Sequence, residues 1–400
     1  MQTSMQKPMQ TSNTIVIVGG GPVGSVLALF LAVKGFAVTV LETRKHGASH
    51  QDNRALALSY GSKRMLEKLG LWGDLAPHAT AINHIHVSQK GSIGRTWLHA
   101  SDYQQQALGY VLSYGALSAA LSRKLADFTS IDFIFEANAE AITPYATHAT
   151  VNYMRGFESC FIESNLVVLA DGGHSLDKLT GLTRTTKDYG HEAIISKVIA
   201  TLPHSNIAYE RFTPDGPMAL LPNGGPNEFS LVWTGKKDQM AGLLQLSDNA
   251  FLTKFHEQFG DRVGAFLSVQ KRMSFPLKMS QLKVSAPQEA SHLVVIGNAA
   301  QTMHPVAGQG FNVGLRDAEA LAQQIIMTDV ALLGSRGMLD AYHASRKADT
   351  KGGLMFTDFL VNIFSNEILV LASLRGAGLG VLNVLKPVKK HLVEKMSFGK

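Results

Sequence analysis

Cysteine is nearly absent from the sequence. Cys160 is the single cysteine among 400 residues, so the chain can form no internal disulfide and has no second sulfur for a metal cluster. This usage is typical of proteins that work in a reducing compartment. The histidines also lack acidic or sulfur partners at metal-ligand spacing, His174, His191 and His204 included. We therefore predict no metal site.

Charge and long apolar runs are scarce as well. Charged residues make up only 17% of the chain, and a long apolar stretch from Phe359 to Leu385 is interrupted by Glu367 and Arg375. No uninterrupted span of about twenty residues is left for a transmembrane helix. The first thirteen residues are polar and lack the apolar core of a signal peptide. We expect a disordered tail over 1–13 and a cytoplasmic protein.

The charge that is present is mostly positive. A formal net charge of +6 and a pI near 9.2 favour anionic neighbours, but they do not separate membrane headgroups, nucleic acid and a phosphorylated cofactor. The C-terminal segment "KPVKKHLVEKMSFGK" has five lysines and one glutamate. Two C-terminal helices with an apolar face and a basic end could lie on the anionic inner membrane as a peripheral contact. The alternatives are that they cap the core or form a contact between two copies of the chain. We expect no nucleic-acid partner.

The first strong motif lies in "TIVIVGGGPVGSVLALFLAVKGFAVTVLE", residues 14–42. A β-branched run, a glycine turn, an apolar helix and a second strand form a dinucleotide-binding unit. Gly19 turns the chain, Gly21 lets a pyrophosphate approach the backbone, and Gly24 lets helix and strand pack. Glu42 ends the second strand, where a carboxylate accepts hydrogen bonds from an adenosine ribose and disfavours a 2′-phosphate. The bound dinucleotide is therefore predicted to be FAD or NAD, not NADP.

The rest of the chain predicts a mixed α/β fold of interleaved parts. Short runs such as "HIHVSQ", "IAYERFT" and "FSLVWT" are broken by Pro, Gly and Asn, as in an antiparallel sheet. "NLVVLADGGHS" and "HLVVIGNAAQ" each read as a buried strand that ends in a polar turn and returns to the first part. We predict a Rossmann-like, parallel-sheet FAD-binding domain over 14–80, 101–184 and 286–350, a β-rich substrate domain over 81–100 and 185–285, and C-terminal helices over 351–400.

Two polar turns far along the chain favour FAD over NAD. Asp171 and Gly172 follow one buried strand, and "GNAAQTMHPVAGQG" follows another. A plain nicotinamide dehydrogenase would not need them. The four glycines and the His-Pro pair of 297–317 leave bare backbone between a strand and a helix, suited to lie against a flat or anionic group.

These motifs resemble the class A flavoprotein aromatic hydroxylases, the fold typified by p-hydroxybenzoate hydroxylase. The resemblance covers nearly the whole folded chain: the glycine motif, "NRALALS" at 53–59, "DG" at 171–172, "YERFTPDGPMALLP" at 209–222 and the segment from 297. Within that group the chain is most similar to the ubiquinone-biosynthesis hydroxylases. Where most members have G-D-A-A-H-T, it reads G-N-A-A-Q-T, with Asn298 and Gln301. That departure, like "YERFT", is typical of the 2-octaprenyl-6-methoxyphenol hydroxylase branch.

The resemblance implies where a flavin would lie. It places Pro305 against the flavin ring and the amides of the Gly308, Gln309 and Gly310 loop near its pyrimidine edge, at the start of the helix that carries Phe311 and Asn312. Those amides and the positive end of the helix would stabilise negative charge on the reduced flavin. The side-chain oxygen of Asn298 can accept a ribityl hydrogen bond as the usual aspartate does.

The resemblance also implies roles for three further residues. Arg54 resembles the arginine that lies near the pyrophosphate and helps recruit the nicotinamide cofactor; the alternative is a surface salt bridge. Asp171 resembles the family aspartate implicated in FAD and NADPH binding. His304, beside the flavin-facing proline, either removes a proton from a phenol or only packs.

The implied reaction is hydroxylation of an aromatic ring. NADPH or NADH would reduce FAD transiently, dioxygen would add to give a flavin hydroperoxide, and a lipophilic, polyprenylated phenol of ubiquinone biosynthesis would accept the oxygen. Other ubiquinone-biosynthesis proteins and a second copy of the chain are the implied protein partners. The alternatives are another aromatic substrate, a flavin halogenase or prenyl reductase, for which W-x-W-x-I-P is missing, a plain NAD dehydrogenase, and a flavin-binding subunit without turnover.

Overall fold

The computed structural model describes residues 15–92, 94–176, 182–284, 291–302, 309–364 and 386–399. In these ranges the α-helices are α1 (Pro22–Ala32), α2 (Tyr60–Lys68), α3 (Trp72–Leu75), α4 (Tyr114–Leu125), α5 (Lys237–Gln245), α6 (Asp248–Phe259), α7 (Gln309–Met327), α8 (Arg336–Phe364) and α9 (Lys386–Phe398).

The strands in the same ranges are β1 (Ile15–Val18), β2 (Val38–Glu42), β3 (Ala55–Ser59), β4 (Thr80–Ile82), β5 (His84–Gln89), β6 (Arg95–His99), β7 (Gly109–Ser113), β8 (Ile131–Phe135), β9 (Ala137–Pro144), β10 (Ala149–Arg155), β11 (Glu158–Ser164), β12 (Leu166–Leu169), β13 (Leu182–Ala200), β14 (Ile207–Thr213), β15 (Gly216–Pro222), β16 (Glu228–Lys236), β17 (Phe266–Val269), β18 (Met273–Val284), β19 (Leu293–Val295) and β20 (Gln301–Thr302).

A five-stranded parallel sheet forms the centre of the first half of the fold. Its order is β19-β12-β1-β2-β8, and every neighbouring pair is parallel. Strands buried on both faces read as continuous apolar runs, as do "IVIV" in β1 and "LVVL" in β12, whose residues are all buried. Ile15 and Ile17 pack with α1 and α7, whereas Val16 and Val18 pack with the antiparallel sheet β11-β10-β9.

The second half is one large sheet of nine strands. Its order is β20-β18-β13-β16-β15-β14-β5-β6, with β17 also paired to β13. All these pairs are antiparallel except β14 with β5. One face is covered by α5 and α6, where Phe251, Phe255 and Phe259 are fully buried against Trp233. We call the opposite face, which carries Ala208 and Val232, the inner face.

A small antiparallel sheet, β3-β7-β4, joins the two halves. Ile82 of β4 and Val111 of β7 pack against Ala208 on the inner face of the large sheet. The C-terminal helix α9 closes the same side: Val393 is 4% exposed and packs with Leu98 of β6. The Ser59 hydroxyl donates to the Ser397 carbonyl at 3.1 Å, so α9 is fixed to the joining sheet as well as to the large sheet.

The architecture confirms the predicted α/β class, with a parallel sheet, a β-rich layer and C-terminal helices. The boundaries assigned to the domains stay a prediction. No helix among the described residues is both long enough and apolar enough to cross a bilayer. Of the C-terminal region, 365–385 lies outside the described residues.

Candidate FAD site

The glycine turn after β1 is shaped by close contacts between backbones. Gly19 has φ +109°, and a Cβ there would lie 2.6 Å from the Asp171 Cα atom. A Cβ on Gly24 would lie 2.1 Å from the Gly19 carbonyl oxygen. A Cβ on Gly21 would have only the Tyr114 hydroxyl nearby, at 3.6 Å. Protein packing therefore explains the first and third glycines, whereas Gly21 borders open space that a phosphate can enter.

The turn leads into the N-terminus of α1, where backbone amides are free for an anion. Pro22 begins the helix, Gly21 is its N-cap without a side-chain cap, and its first turn has no acidic residue. The unpaired amides and the positive end of the helix dipole favour a negatively charged group here. This local geometry fits a pyrophosphate.

Glu42 lies at the end of β2 beside the turn. Its carboxylate accepts a hydrogen bond from the Gly20 amide at 2.9 Å and one from Arg44 Nε at 2.7 Å. Burial by itself would raise the pKa of Glu42, but the hydrogen bonds and charge of Arg44 and the Gly20 amide outweigh it and lower the pKa. Glu42 is therefore an anionic acceptor at neutral pH.

A cavity of about 250 Å³ opens beside Glu42. Apolar side chains of α4 and β8 line one part, Leu121, Leu125 and Phe133 among them, and Arg44, His46 and Ser122 contribute polar groups. A small apolar cleft with a few polar groups is typical of a site for a nucleobase. Together with the anionic Glu42 and the free α1 amides, it fits the adenosine diphosphate half of FAD.

Arg54 and Tyr114 border the same turn. The Arg54 guanidinium lies over the Tyr114 ring at 5.2 Å and is paired with Asp52, with Nε to Oδ2 at 2.9 Å. Its side chain is 44% exposed, so solvent and an incoming anion can both reach it. The predicted role of Arg54 in recruiting the nicotinamide cofactor stays a prediction.

Asp171 and Gly172 follow β12 and meet the glycine turn. The Asp171 carboxylate accepts hydrogen bonds from the Gly173 amide at 2.8 Å and the Ser175 amide at 2.7 Å. These hydrogen bonds hold the turn that follows β12. The backbone of Asp171 lies so close to Gly19 that no side chain fits at position 19. A contribution to cofactor binding stays a prediction for both residues.

Asn298 lies at the other end of the site. It is exposed after β19, and its Oδ1 lies 3.8 Å from the position of a Cβ built on Gly310, in the first turn of α7. The Asn298 side chain thus lies close to the start of that helix, and its contact with a ribityl hydroxyl stays a prediction. His304, Pro305 and Gly308 lie outside the described residues, and Gln309 begins α7.

Asn312 and Phe311 contact the protein itself. Asn312 is 2% exposed; its Oδ1 accepts from the Ser59 amide at 2.8 Å and the Ser62 hydroxyl at 2.7 Å, and its Nδ2 donates to the Ala57 carbonyl at 2.9 Å. Phe311 packs against the main core. The side chain of Asn312 holds α7 to β3 and α2, so contact with a cofactor, which stays a prediction, would come from the backbone here.

A charged network behind the site was not found by the sequence analysis. The Asp317 carboxylate accepts from the Gly297 amide at 3.1 Å and from Arg346 Nε at 2.7 Å. Arg346 and Arg316 both pair with Asp349. The four side chains are nearly buried and tie the turn before Asn298 to α7 and α8. Arg316 and Asp317 are adjacent charges in an otherwise apolar helical pattern, which was the available signal.

Comparisons with known proteins identify the family of the chain. The profile of a family described as "FAD binding domain" matches residues 12–357. Ubiquinone hydroxylase UbiL of Rhodospirillum rubrum is 34% identical over 384 residues, covering 94% of this chain and 87% of that protein. The 3-demethoxyubiquinol 3-hydroxylase of Escherichia coli is 28% identical over 375 residues, covering 91% and 93%.

Solved structures agree on the fold. The crystal structure of p-nitrophenol 4-monooxygenase PnpA from Pseudomonas putida superposes with a TM-score of 0.77 at 17% identity, covering 96% of this chain and 98% of that one. The family profile covers well over half of the chain, and the predicted cofactor, FAD, is confirmed by it. The chain belongs to the FAD-binding-domain family of FAD-dependent aromatic-ring monooxygenases.

Proposed function

We propose that this protein hydroxylates the aromatic ring of a polyprenylated phenol in ubiquinone biosynthesis, with NAD(P)H as reductant and dioxygen as oxidant. The observation that carries the proposal is the 34% identity to ubiquinone hydroxylase UbiL over nearly the full length of both proteins. The site geometry supports it, because the α1 amides, Glu42 and the start of α7 lie along one edge of the parallel sheet. The 2-octaprenyl-6-methoxyphenol branch is the proposed assignment within this group.

The residues of the chain fit FAD from one end to the other. The cavity beside Glu42 would hold the adenine, the Glu42 carboxylate the ribose, and the amides of Gly21 and the first turn of α1 the pyrophosphate. Asn298 and the amides at the start of α7 would hold the flavin end, where the helix dipole favours negative charge. When bound, FAD supplies two-electron redox chemistry and the reaction with dioxygen. The protein binds and orients the phenol and excludes water from it.

The substrate space would be bounded by the inner face of the large sheet. Ala208, Val232 and Met279 contribute apolar or small side chains to this face, as required for a hydrocarbon-rich phenol. Arg54, exposed beside the glycine turn, would attract the phosphates of the nicotinamide cofactor as it arrives.

The test uses purified protein reconstituted with FAD. NADPH oxidation is followed with and without a short-chain methoxyphenol, and the organic product is identified by mass spectrometry. Acceleration by the phenol together with a hydroxylated product supports the proposal. Retention of FAD without any phenol-dependent oxidation would favour a flavin-binding subunit without turnover. Mass spectrometry of the quinone intermediate that accumulates in a deletion strain then identifies the ring position and the prenyl length.

We further propose that the C-terminal region contacts an anionic membrane from which the substrate is drawn. The support is that Lys390 and Val388 of α9 point outward, with Val388 47% exposed, while Val393 packs inward. Lys390→Glu is expected to reduce co-flotation with anionic liposomes about fivefold, since one lysine near such a surface is worth about 1 kcal/mol. Lys34→Glu, an exposed change after α1, is the control. Equal flotation of Lys390→Glu and wild type would contradict the proposal.

A further inference from the structure

One acidic side chain on the inner face of the large sheet has no partner among the residues that the structure describes. Glu210 is the middle residue of β14, opposite Ala219 of β15 on one side and Val87 of β5 on the other. Side chains alternate between the faces of a strand, and Tyr209 belongs to the core under α5 and α6. Glu210 therefore shares the inner face with Ala208.

Two contacts show which elements pack against the inner face. Ala208 packs on Ile82 and Val111 of the small joining sheet. Met279, which the strand register places on the same face, packs on Val313 in the first turns of α7. Glu210 thus faces the space between the large sheet and the helix start that is proposed to hold the flavin end.

The surroundings of Glu210 are apolar. Within the described part of the chain it has neither a hydrogen bond nor an ion pair, and burial alone raises its pKa to about 8. Its side chain nevertheless keeps some accessible surface. A carboxyl group whose accessible surface faces an enclosed space, and not bulk solvent, explains both the raised pKa and the remaining accessible surface.

The other ionisable groups on the inner face are distant. By strand register, Lys187, His191 and Lys197 of β13 lie three strands away from β14, roughly 14 Å or more. Glu228 and Lys236 of β16 lie two strands away and four residues along the strand from the position opposite Glu210, roughly 16 Å. Lys389 of α9 donates to the Trp97 carbonyl on β6, two strands away. None of them contributes to the pKa of Glu210.

A second polar group on the same face lacks a partner in the described part of the chain. Gln89 of β5 is 9% exposed, and its Oε1 is buried without a hydrogen bond. It lies two residues along β5 from Val87, so its Cα is roughly 8 Å from that of Glu210 and both long side chains reach the same volume. Buried unpaired acceptors are costly unless a ligand donates to them.

We propose that Glu210 is the residue that binds the phenolic hydroxyl of the substrate and accepts its proton, with Gln89 hydrogen-bonded beside it. This rests on the proposed function. The phenol O–H bond breaks, the proton passes to the Glu210 carboxylate, and the electron pair stays on the ring as a phenolate, which is more electron-rich toward an oxidant. When the new C–O bond has formed, the C–H bond at the same ring carbon breaks as the ring becomes aromatic again, and that proton leaves with the second oxygen atom of dioxygen as water. Glu210 returns its own proton to the phenolate oxygen, so the carboxylate is regenerated.

The experiment compares Glu210→Gln, Glu210→Asp and the control Glu158→Gln, which changes an exposed glutamate of β11. Each protein is reconstituted with FAD, and binding of 4-nitrophenol is measured by calorimetry from pH 6 to pH 10. With Glu210 as acceptor, one proton is shared between carboxyl and phenol. Above both pKa values the wild-type complex must take up that proton, so its dissociation constant rises about tenfold per pH unit. In the Gln variant only the phenol titrates, so its dissociation constant is expected to change with pH on one side of the pKa of the phenol and to lack the further change that the wild type shows at the pKa of Glu210.

Turnover provides the second readout. Hydroxylation of a short-chain methoxyphenol is expected to fall 10²–10⁴-fold in Glu210→Gln, the usual range for loss of a general base, and to recover in part in Glu210→Asp. FAD content and reduction by NADPH without phenol should be unchanged, as they should in Glu158→Gln.

Three results would overturn the inference. A wild-type dissociation constant that does not change with pH above pH 8 would overturn it. This measurement needs no variant, so it remains decisive even if Glu210→Gln does not fold. Full turnover in Glu210→Gln would also do so. A wild-type protein that binds FAD but neither binds nor hydroxylates any phenol would instead reject the proposed function, and this inference with it.

Discussion

The Asp317 carboxylate accepts a hydrogen bond from the Gly297 amide at 3.1 Å, across 20 residues of sequence. Gly297 has φ +62°, and the turn it forms presents Asn298 to the first turn of α7. Because the other carboxylate oxygen is held by Arg346 at 2.7 Å, the turn is fixed from behind by a buried ion pair. The position of Asn298 beside Gly310 thus depends on a charge that would itself never contact the cofactor.

Asp317→Asn is expected to destabilise the protein by about 1–3 kcal/mol, because Arg346 and the Gly297 amide lose a charged hydrogen-bond acceptor while Arg346 keeps its pair with Asp349. Denaturant unfolding measures this loss. Asp340→Asn removes an exposed partner of Arg336, 70% exposed, and should change the unfolding free energy by less than about 1 kcal/mol. Equal effects of the two changes would contradict the structural role given to Asp317.

The glycine turn gives a prediction that separates folding from cofactor binding. Gly24→Ala places a Cβ 2.1 Å from a backbone oxygen, so little folded protein is expected. Gly21→Ala meets only a hydroxyl at 3.6 Å and should fold normally but bind FAD at least tenfold more weakly. Circular dichroism and FAD titration measure the two properties. Gly73→Ala, with open space around it, should affect neither; normal FAD affinity in Gly21→Ala would show that no phosphate approaches there.

The lowered pKa of Glu42 predicts how FAD affinity depends on pH. Its pKa is lowered in the folded protein, so its favourable interactions are present above its ordinary pKa of 4.5 and are lost only as the pH falls through the lower folded value. FAD affinity of the wild type should therefore show no step from Glu42 between pH 5 and pH 8. Glu42→Gln is expected to weaken FAD binding roughly tenfold or more throughout, as for a lost hydrogen bond to a charged group.

Fluorescence quenching of FAD measures this affinity. Glu136→Gln, an exposed glutamate, is the matched control and should behave as wild type. A step in wild-type affinity between pH 5 and pH 8 that Glu42→Gln removes would contradict the lowered pKa.

The raised pKa of Glu210 predicts a pH dependence of the unfolding free energy that is opposite in sign to that expected from Glu42. Its folded pKa is raised to about 8 from 4.5, so the folded state binds the proton more tightly and the unfolding free energy falls as the pH rises from 4.5 to 8. Glu210→Gln removes this penalty. Relative to wild type, the variant should gain a few kcal/mol between pH 5 and pH 9, since one pKa unit corresponds to about 1.4 kcal/mol. A difference in unfolding free energy that does not change with pH would show that Glu210 is solvated.

The sequence was sufficient for features that depend on neighbours along the chain. Gly19, Gly21, Gly24 and Glu42 follow from one strand, turn, helix, strand pattern, and the continuous apolar runs predict buried parallel strands. Asp317 and Arg346 could not be paired from the sequence, because 29 residues and a change of helix separate them. Their contact is set by how α7 and α8 pack.

Other features depend on sheet register, which could not be predicted from the sequence. "YERF" alternates in a way that assigns Glu210 and Tyr209 to opposite faces, but which face looks inward depends on the partners of β14, one of them β5, more than 120 residues earlier. The docking of α9 on Ser59 spans 338 residues. For the lysine-rich end of the chain the sequence therefore left a membrane contact, a cap on the core and a contact between two copies open, whereas the structure shows Lys389 nearly buried against β6.

The most direct test of the central claim is to supply isotopically labelled dioxygen to the FAD-reconstituted protein with NADPH and a short-chain methoxyphenol. A ring-hydroxylated product that carries one labelled oxygen atom is expected, formed only when NADPH is consumed. A product with oxygen from water, or NADPH oxidation that yields only hydrogen peroxide with every phenol tried, would contradict it.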